Sequence, residues 1–169
     1  MRIVLRVLAV LVISTVGLAG YHGAFSRVAL SEQSLGPFQF VYRPVSSINH
    51  QEVAHISSEM DLMLASIDVE RRAPLHIYFP DGSAQIGFQV EDVQLDLALS
   101  NGTRVQIIPE QEFIIARFPR RSPLSPFVVR MKVDPLLAEY QMTNGYAASE
   151  VMTLYDETTI TYLTSVRKI

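Results

Sequence analysis

Three histidines, His50, His55 and His76, are the first side chains in this sequence that could bind a metal, and His50 and His55 bracket the start of a helical pattern. Their spacing of five does not put two ligands on one helical face, which takes three or four. No metal or haem site is expected from them. Serine and histidine both occur, but no G-x-S-x-G elbow presents a nucleophile. Cysteine is absent, and so are a P-loop and a dinucleotide fingerprint. Arg117, Arg120 and Arg121, beside Pro119 and Pro123, form the one basic cluster. They read as a solvated loop, with a docking surface for anionic lipid or a partner protein as the sharper alternative. With a net charge of −3, nucleic acid is not an expected partner. The residues by themselves nominate no catalytic group and no cofactor.

The elements that would position any site come next. At 169 residues the chain has room for one domain, and 49% hydrophobic against 18% charged residues supports a real core. Without cysteine there are no disulfides and no thiolate metal sites, which leaves the compartment open. Phe38 to Pro44 alternates as a strand ending in proline. Gln51 to Ile67 carries Val53, Ile56, Met60, Met63, Leu64 and Ile67 at helical spacing. Leu75 to Phe79 is a second strand closed by the turn Pro80-Asp81-Gly82, and Ile86 to Leu97 a third. Shifted by about 75 positions the order recurs. Phe113 to Pro119 matches the first strand, and Pro126 to Asn144 holds a second helix that Pro135 should delay or kink. Val151 to Asp156 and Ile160 to Val166 match the second and third strands. Thr103 to Ile108 adds a short strand after the join at Asn101-Gly102. The expected fold class is α+β, two β-α-β-β units packed about a pseudo-twofold axis.

The first 25 residues differ from the rest. Ile3 to Tyr21 is apolar or small except for Arg6, with Arg2 ahead of it and Tyr21, His22 and Phe25 as an aromatic collar. The expectation is one N-terminal transmembrane helix, residues 1–25, with Arg6 snorkelling to the headgroups. The N-terminus would be cytoplasmic and the domain extracytoplasmic. Gly17-Leu18-Ala19 followed by Gly20 leaves a cleavable signal peptide as the alternative. Residues 26–35 read as a polar connector and 36–169 as the domain.

In order and spacing the chain resembles the GyrI-like (bacterial effector-binding, SHS2-type) family. The stretches that carry the likeness are Gly36-Pro37-Phe38 leading into Val41 to Val45, Pro74 to Asp81, Ile86 to Val90, Ile108-Pro109, Phe113 to Phe118, Leu137 to Tyr146, Leu154 to Asp156 and Thr161 to Leu163. SOUL-type haem-binding proteins, with a related fold, are the nearest rival. The resemblance implies helices on one face of the sheets and, on the other face, a cleft lined by aromatic rings. Rings suit flat, apolar or cationic ligands. Strand alternation then nominates Tyr78 and Tyr155 at matching places in the two halves, with Tyr42, Phe88, Phe118 and Tyr162 on neighbouring strands. The implied function is a membrane-tethered module binding a small apolar or aromatic ligand, or a peptide. The alternatives are an interaction or accessory domain with a filled cleft, docked on a membrane protein, and a GyrI-like hydrolase. Many members place a glutamate on one of the last two strands, where this chain has Thr153 and Thr161. Without that carboxylate, cation selectivity and acid–base hydrolysis are not expected.

Overall fold

The computed structural model describes residues 2–21, 26–91, 102–122 and 125–168. Its helices are α1 (Arg2–Tyr21), α2 (His50–Ser66) and α3 (Ser125–Thr143). The strands are β1 (Leu30–Leu35), β2 (Phe38–Val45), β3 (Arg71–Tyr78), β4 (Ala84–Val90), β5 (Arg104–Ile108), β6 (Gln111–Pro119), β7 (Val151–Tyr155) and β8 (Thr159–Ser165). The chain is α+β, and all eight strands join one antiparallel sheet in the order β1-β6-β8-β7-β3-β4-β2-β5. Read outward from the central β3–β7 pair, the order is the same in both directions. Each half contributes a β-α-β-β unit, β2-α2-β3-β4 and β6-α3-β7-β8, and one further edge strand.

Local chemistry sets the helix boundaries. The Asn49 side chain accepts a hydrogen bond from the Gln51 amide at 3.0 Å, capping α2 with Glu52 in the first turn. The fully buried Ser125 Oγ accepts from the amides of Arg121 and Ser122, both at 3.0 Å, and so shapes the entry to α3. Val129, Val133, Leu137 and Gln141 then bury one stripe at a spacing of four.

Both helices lie on one face. Directly paired residues of antiparallel strands share a face, and one row runs Leu30, Ala116, Tyr162, Thr153, His76, Ile86, Arg43 across the sheet. On this face α3 packs over β6 and β8 against Ile114, Ala116, Phe118, Ile160 and Tyr162. At the other end of the row α2 packs over β2 and β4 against Val41, Phe88 and Val90. The opposite face is the inside of a curl. Phe38 and Phe113 lie on β2 and β6, five strand steps apart, or about 24 Å on a flat sheet. Their ring centroids are 6.4 Å apart. The sheet therefore bends until its two ends meet, and Phe40, Leu75, Ile77, Phe113, Ile115 and Leu163 fill the interior.

Several expectations are corrected. Leu30–Leu35, expected within a polar connector, form β1, which pairs with β6 from Leu30↔Ala116 to Leu35↔Gln111. Its Ser-Glu-Gln-Ser centre hides a strand because an edge strand needs few apolar side chains. Pro135 lies inside a continuous α3, which starts at Ser125 rather than late. The carbonyl that loses its donor belongs to Met131, on an exposed turn where water can substitute. Pro44 lies within β2, paired with Gln85, beyond the last β5 pair at Tyr42. The third strand is described to Val90; residues 92–101, with the second half of that expected strand and Asn101 of the join, lie outside the described residues, as do His22 and Phe25.

The transmembrane helix is also corrected. Among the described residues no helix is long and apolar enough to cross a membrane. Arg6 interrupts α1 early, and Val7 to Ala19 spans about 20 Å as a helix against a hydrocarbon core of about 30 Å. The single-pass localisation, with cytoplasmic N-terminus and extracytoplasmic domain, loses its basis, and membrane tethering goes with it.

Candidate functional site

The two helices cover the flanks of the sheet and leave its central strands open between them. Along β3, Pro74, His76 and Tyr78 face the helices; along β7, Val151, Thr153 and Tyr155 do. The ladder pairs His76 with Thr153 and Tyr78 with Val151. Taking Tyr78 and Tyr155 as equivalents makes His76 and Thr153 each other's counterparts. The approximate twofold then passes between those two residues, with one tyrosine on either side.

The tyrosines close over His76. The Tyr155 ring lies 4.9 Å from the imidazole, centroid to centroid, and the Tyr78 ring meets it edge-on at 6.2 Å. Tyr78 Oη is 3.3 Å from His76 Nδ1. The phenols of Tyr78 and Tyr155 also hydrogen-bond to one another. Burial is the largest influence on every member of the group. It lowers the His76 pKa to about 4, so the imidazole is neutral at neutral pH. It raises Tyr78, Tyr155 and Tyr162, so all three stay protonated.

Around this floor lies an open cavity of about 750 Å³. Its aromatic wall is Tyr78, Phe79, Phe127, Tyr155 and Tyr162, and its polar groups include Arg130, Asp134 and Ser149. A second cavity of about 640 Å³ adjoins it on the α2 side, reaching Phe88, Asp61 and Arg120. Val53, His76, Pro126 and Tyr155 border both. At the wall of the larger cavity the Arg130 guanidinium stands 5.9 Å from the centre of the Tyr78 ring. Its Nε donates to Asp134 Oδ2 at 3.3 Å, one helical turn on. Burial raises the Asp134 pKa, and Arg130 offsets part of that rise.

Of the six residues nominated from the sequence, Tyr78, Tyr155 and Tyr162 line the larger cavity and Phe88 the smaller one. Phe118 is fully buried beneath α3. Tyr42 lies on the inner face, stacked on Phe40 at 5.1 Å. The cleft itself is on the helix face, a correction to the implied arrangement, because the curl packs the other face solid. Thr161 projects from that other face, whereas Thr153 is fully buried on the helix face, paired with His76. The cavity carboxylate comes from α3, as Asp134, and no strand position could have revealed it. His76, dismissed as a metal ligand, is central, and His55 pairs with Glu59 at 3.4 Å on the surface of α2. The i, i+4 spacing of Arg130 and Asp134 was readable as a helix pair, but not its place beside Tyr78.

No protein-family model matches the chain, and no curated protein matches it in sequence. Solved structures do match in fold. EcmrR in a DNA complex, seen by cryo-electron microscopy, superposes with a TM-score of 0.67 at 10% identity, covering 99% of this chain and 69% of that one. The EcmrR C-terminal domain gives 0.61 at 13% identity, covering 85% and 98%. SAV2435 bound to tetraphenylphosphonium gives 0.57 at 12% identity, covering 82% and 94%. At these identities the likeness is one of fold, and that fold is GyrI-like.

Proposed function

We propose that this protein is a small-molecule-binding module whose ligand is a compact, largely apolar and aromatic molecule held between α2 and α3. The observation that carries this reading is the open cavity of about 750 Å³ walled by tyrosine and phenylalanine rings. Its size and its apolar lining with a few polar groups fit a small-ligand site, and the same fold in SAV2435 was solved with an organic cation bound. The rings offer area and a negative face, while Arg130 and Asp134 neutralise one another at the wall. A neutral aromatic body is therefore the ligand that enters at least cost. Asp134 beside Tyr162 is the one feature that favours a hydrolytic alternative. Its side chain is 45% exposed and paired with Arg130, a poor setting for a tuned acid or base.

Naphthalene is a suitable probe, with thermal melting as the readout. Saturating naphthalene should raise Tm by a few degrees through preferential binding to the folded state. Tyr155→Ala should abolish that rise while lowering the ligand-free Tm only modestly. An unchanged Tm for the unsubstituted protein at the solubility limit of naphthalene would overturn the reading, and so would an undiminished rise in Tyr155→Ala.

A further inference from the structure

The smaller cavity is the twofold counterpart of the larger one. Val53, Ala54, Ser57 and Asp61 of α2 line it at the spacing with which Pro126, Phe127, Arg130 and Asp134 of α3 line its mate. The aspartate is kept, but Ala54 stands at the place of Phe127 and Ser57 at the place of Arg130. Room is left on the α2 side, and the charge balance changes with it. In the larger cavity Arg130 and Asp134 neutralise one another within the wall. In the smaller one Asp61 is taken by Arg71, which lies outside the lining and also donates to the Asp61 carbonyl at 2.7 Å. Arg120, the other charged lining residue, is left over. Its amide donates to the Thr158 carbonyl at 2.7 Å and its Nη1 to the Asp156 carbonyl at 3.2 Å, which holds the guanidinium in place. The Asp156 carboxylate itself accepts from the Glu157 amide at 2.7 Å. Among the described residues Arg120 forms no ion pair. Its Nε–Nη2 edge keeps two parallel donors, the geometry that fits a planar carboxylate.

We propose that the smaller cavity is a second ligand site, selective for aromatic carboxylates. The ring would rest among Pro74, Phe88 and Tyr155, with the carboxylate on Arg120 and the hydroxyls of Ser57 and Ser58 on the α2 wall. A cation would meet the Arg120 charge with Asp61 already neutralised, so the two cavities differ in the charge they accept. The site goes beyond the reading of the larger cavity and does not depend on it.

The probes are 2-naphthoate and 2-naphthamide, its neutral isostere, titrated against the full chain. The unsubstituted protein should prefer 2-naphthoate by about fivefold or more, from charge-assisted hydrogen bonds that the amide cannot make, and added salt should narrow the preference. Arg120→Gln should abolish the preference while leaving the ligand-free Tm within about a degree, as expected of an exposed side chain. Arg120→Lys should restore only part of it, because an ammonium lacks the two-donor edge. Arg130→Gln should keep the preference in full. Equal affinity of the unsubstituted protein for the two probes overturns the proposal, and so does a preference that survives Arg120→Gln. Loss of the preference in Arg130→Gln would move the carboxylate to the larger cavity and overturn it too. Arg120-dependent binding of 2-naphthoate in a protein that naphthalene does not stabilise would remove the reading of the larger cavity and leave this site standing.

Discussion

Leu75 and Ile77 point into the curl of the sheet, while their neighbours His76 and Tyr78 point out under the helices. The same strand thus serves two regions of opposite character. Inside, the curl brings rings from distant strands together, and Phe40, Phe113 and Leu163 reach 0% exposure. Outside, two helices each about 10 Å across sit over the flanking strands, α2 against β4 and α3 against β6 and β8. They leave β3 and β7 uncovered between them. A sheet closing on itself meets its own side chains and fills. A sheet covered by two cylinders keeps a gap along its centre, and the polar and aromatic residues of that gap are free to bind.

The contrast can be broken first at its solid side. Phe113→Ala should cost about 3–5 kcal/mol of stability in a denaturant titration, the usual range for a ring removed from a filled core. Naphthalene affinity per folded molecule should not change. A loss under about 1 kcal/mol would mean that the inner face is not the packed half of the molecule.

Acid offers the next largest effect, and it belongs to the outer face. His76 has a folded pKa of about 4, while the unfolded chain titrates near the ordinary value of 6.5. Between those values the unfolded state binds a proton that the folded state refuses, so stability rises with pH. The contribution is fully present above about pH 6.5 and is lost as the pH falls to about 4, in total about 3 kcal/mol. His76→Phe should flatten that segment of the stability curve, whereas Phe113→Ala should lower the whole curve and keep its slope. An unaltered slope in His76→Phe would remove His76 as the titrating group.

Arg130→Ala sharpens the comparison with the smallest effect on folding. The pair it breaks is about half exposed on both sides, so stability should change by no more than about 0.5 kcal/mol. What changes is access, because Arg130 occupies the Tyr78 ring and neutralises Asp134. Tetraphenylphosphonium, which the unsubstituted protein should bind only weakly, should bind about five- to tenfold more tightly once that face is vacated, and added Asp134→Asn should reverse part of the gain. Equal cation affinity with and without Arg130 would show that the guanidinium does not occupy the cation position.

Much of the fold was legible because period-2 and period-3.6 patterns are local. α2 lies within a residue of its expected bounds at either end, and β2 to β8 fall on the seven runs that read as strands. Misses came where tertiary contact overrides a weak local signal. β1 is polar at its centre and exists because β6 offers an unpaired edge, and Pro135 is tolerated because its helical turn faces solvent. In the apolar N-terminus, span length mattered more than hydropathy. The site was legible only in part, since alternation brought Tyr78, Tyr155 and Tyr162 forward without saying which face would stay open.

The sequence by itself determined the α+β class, the repeated β-α-β-β order and the division of each strand into two sets of side chains. Those follow from backbone geometry, which every residue carries with it. Only the tertiary structure decided which set became core and which became cavity wall. That choice depends on the direction in which the sheet curls and on where α2 and α3 settle, and both arise from contacts between residues far apart in the chain. The same contacts put the His76–Thr153 pair at the centre and set Arg130 and Asp134 of α3 at the cavity wall beside Tyr78.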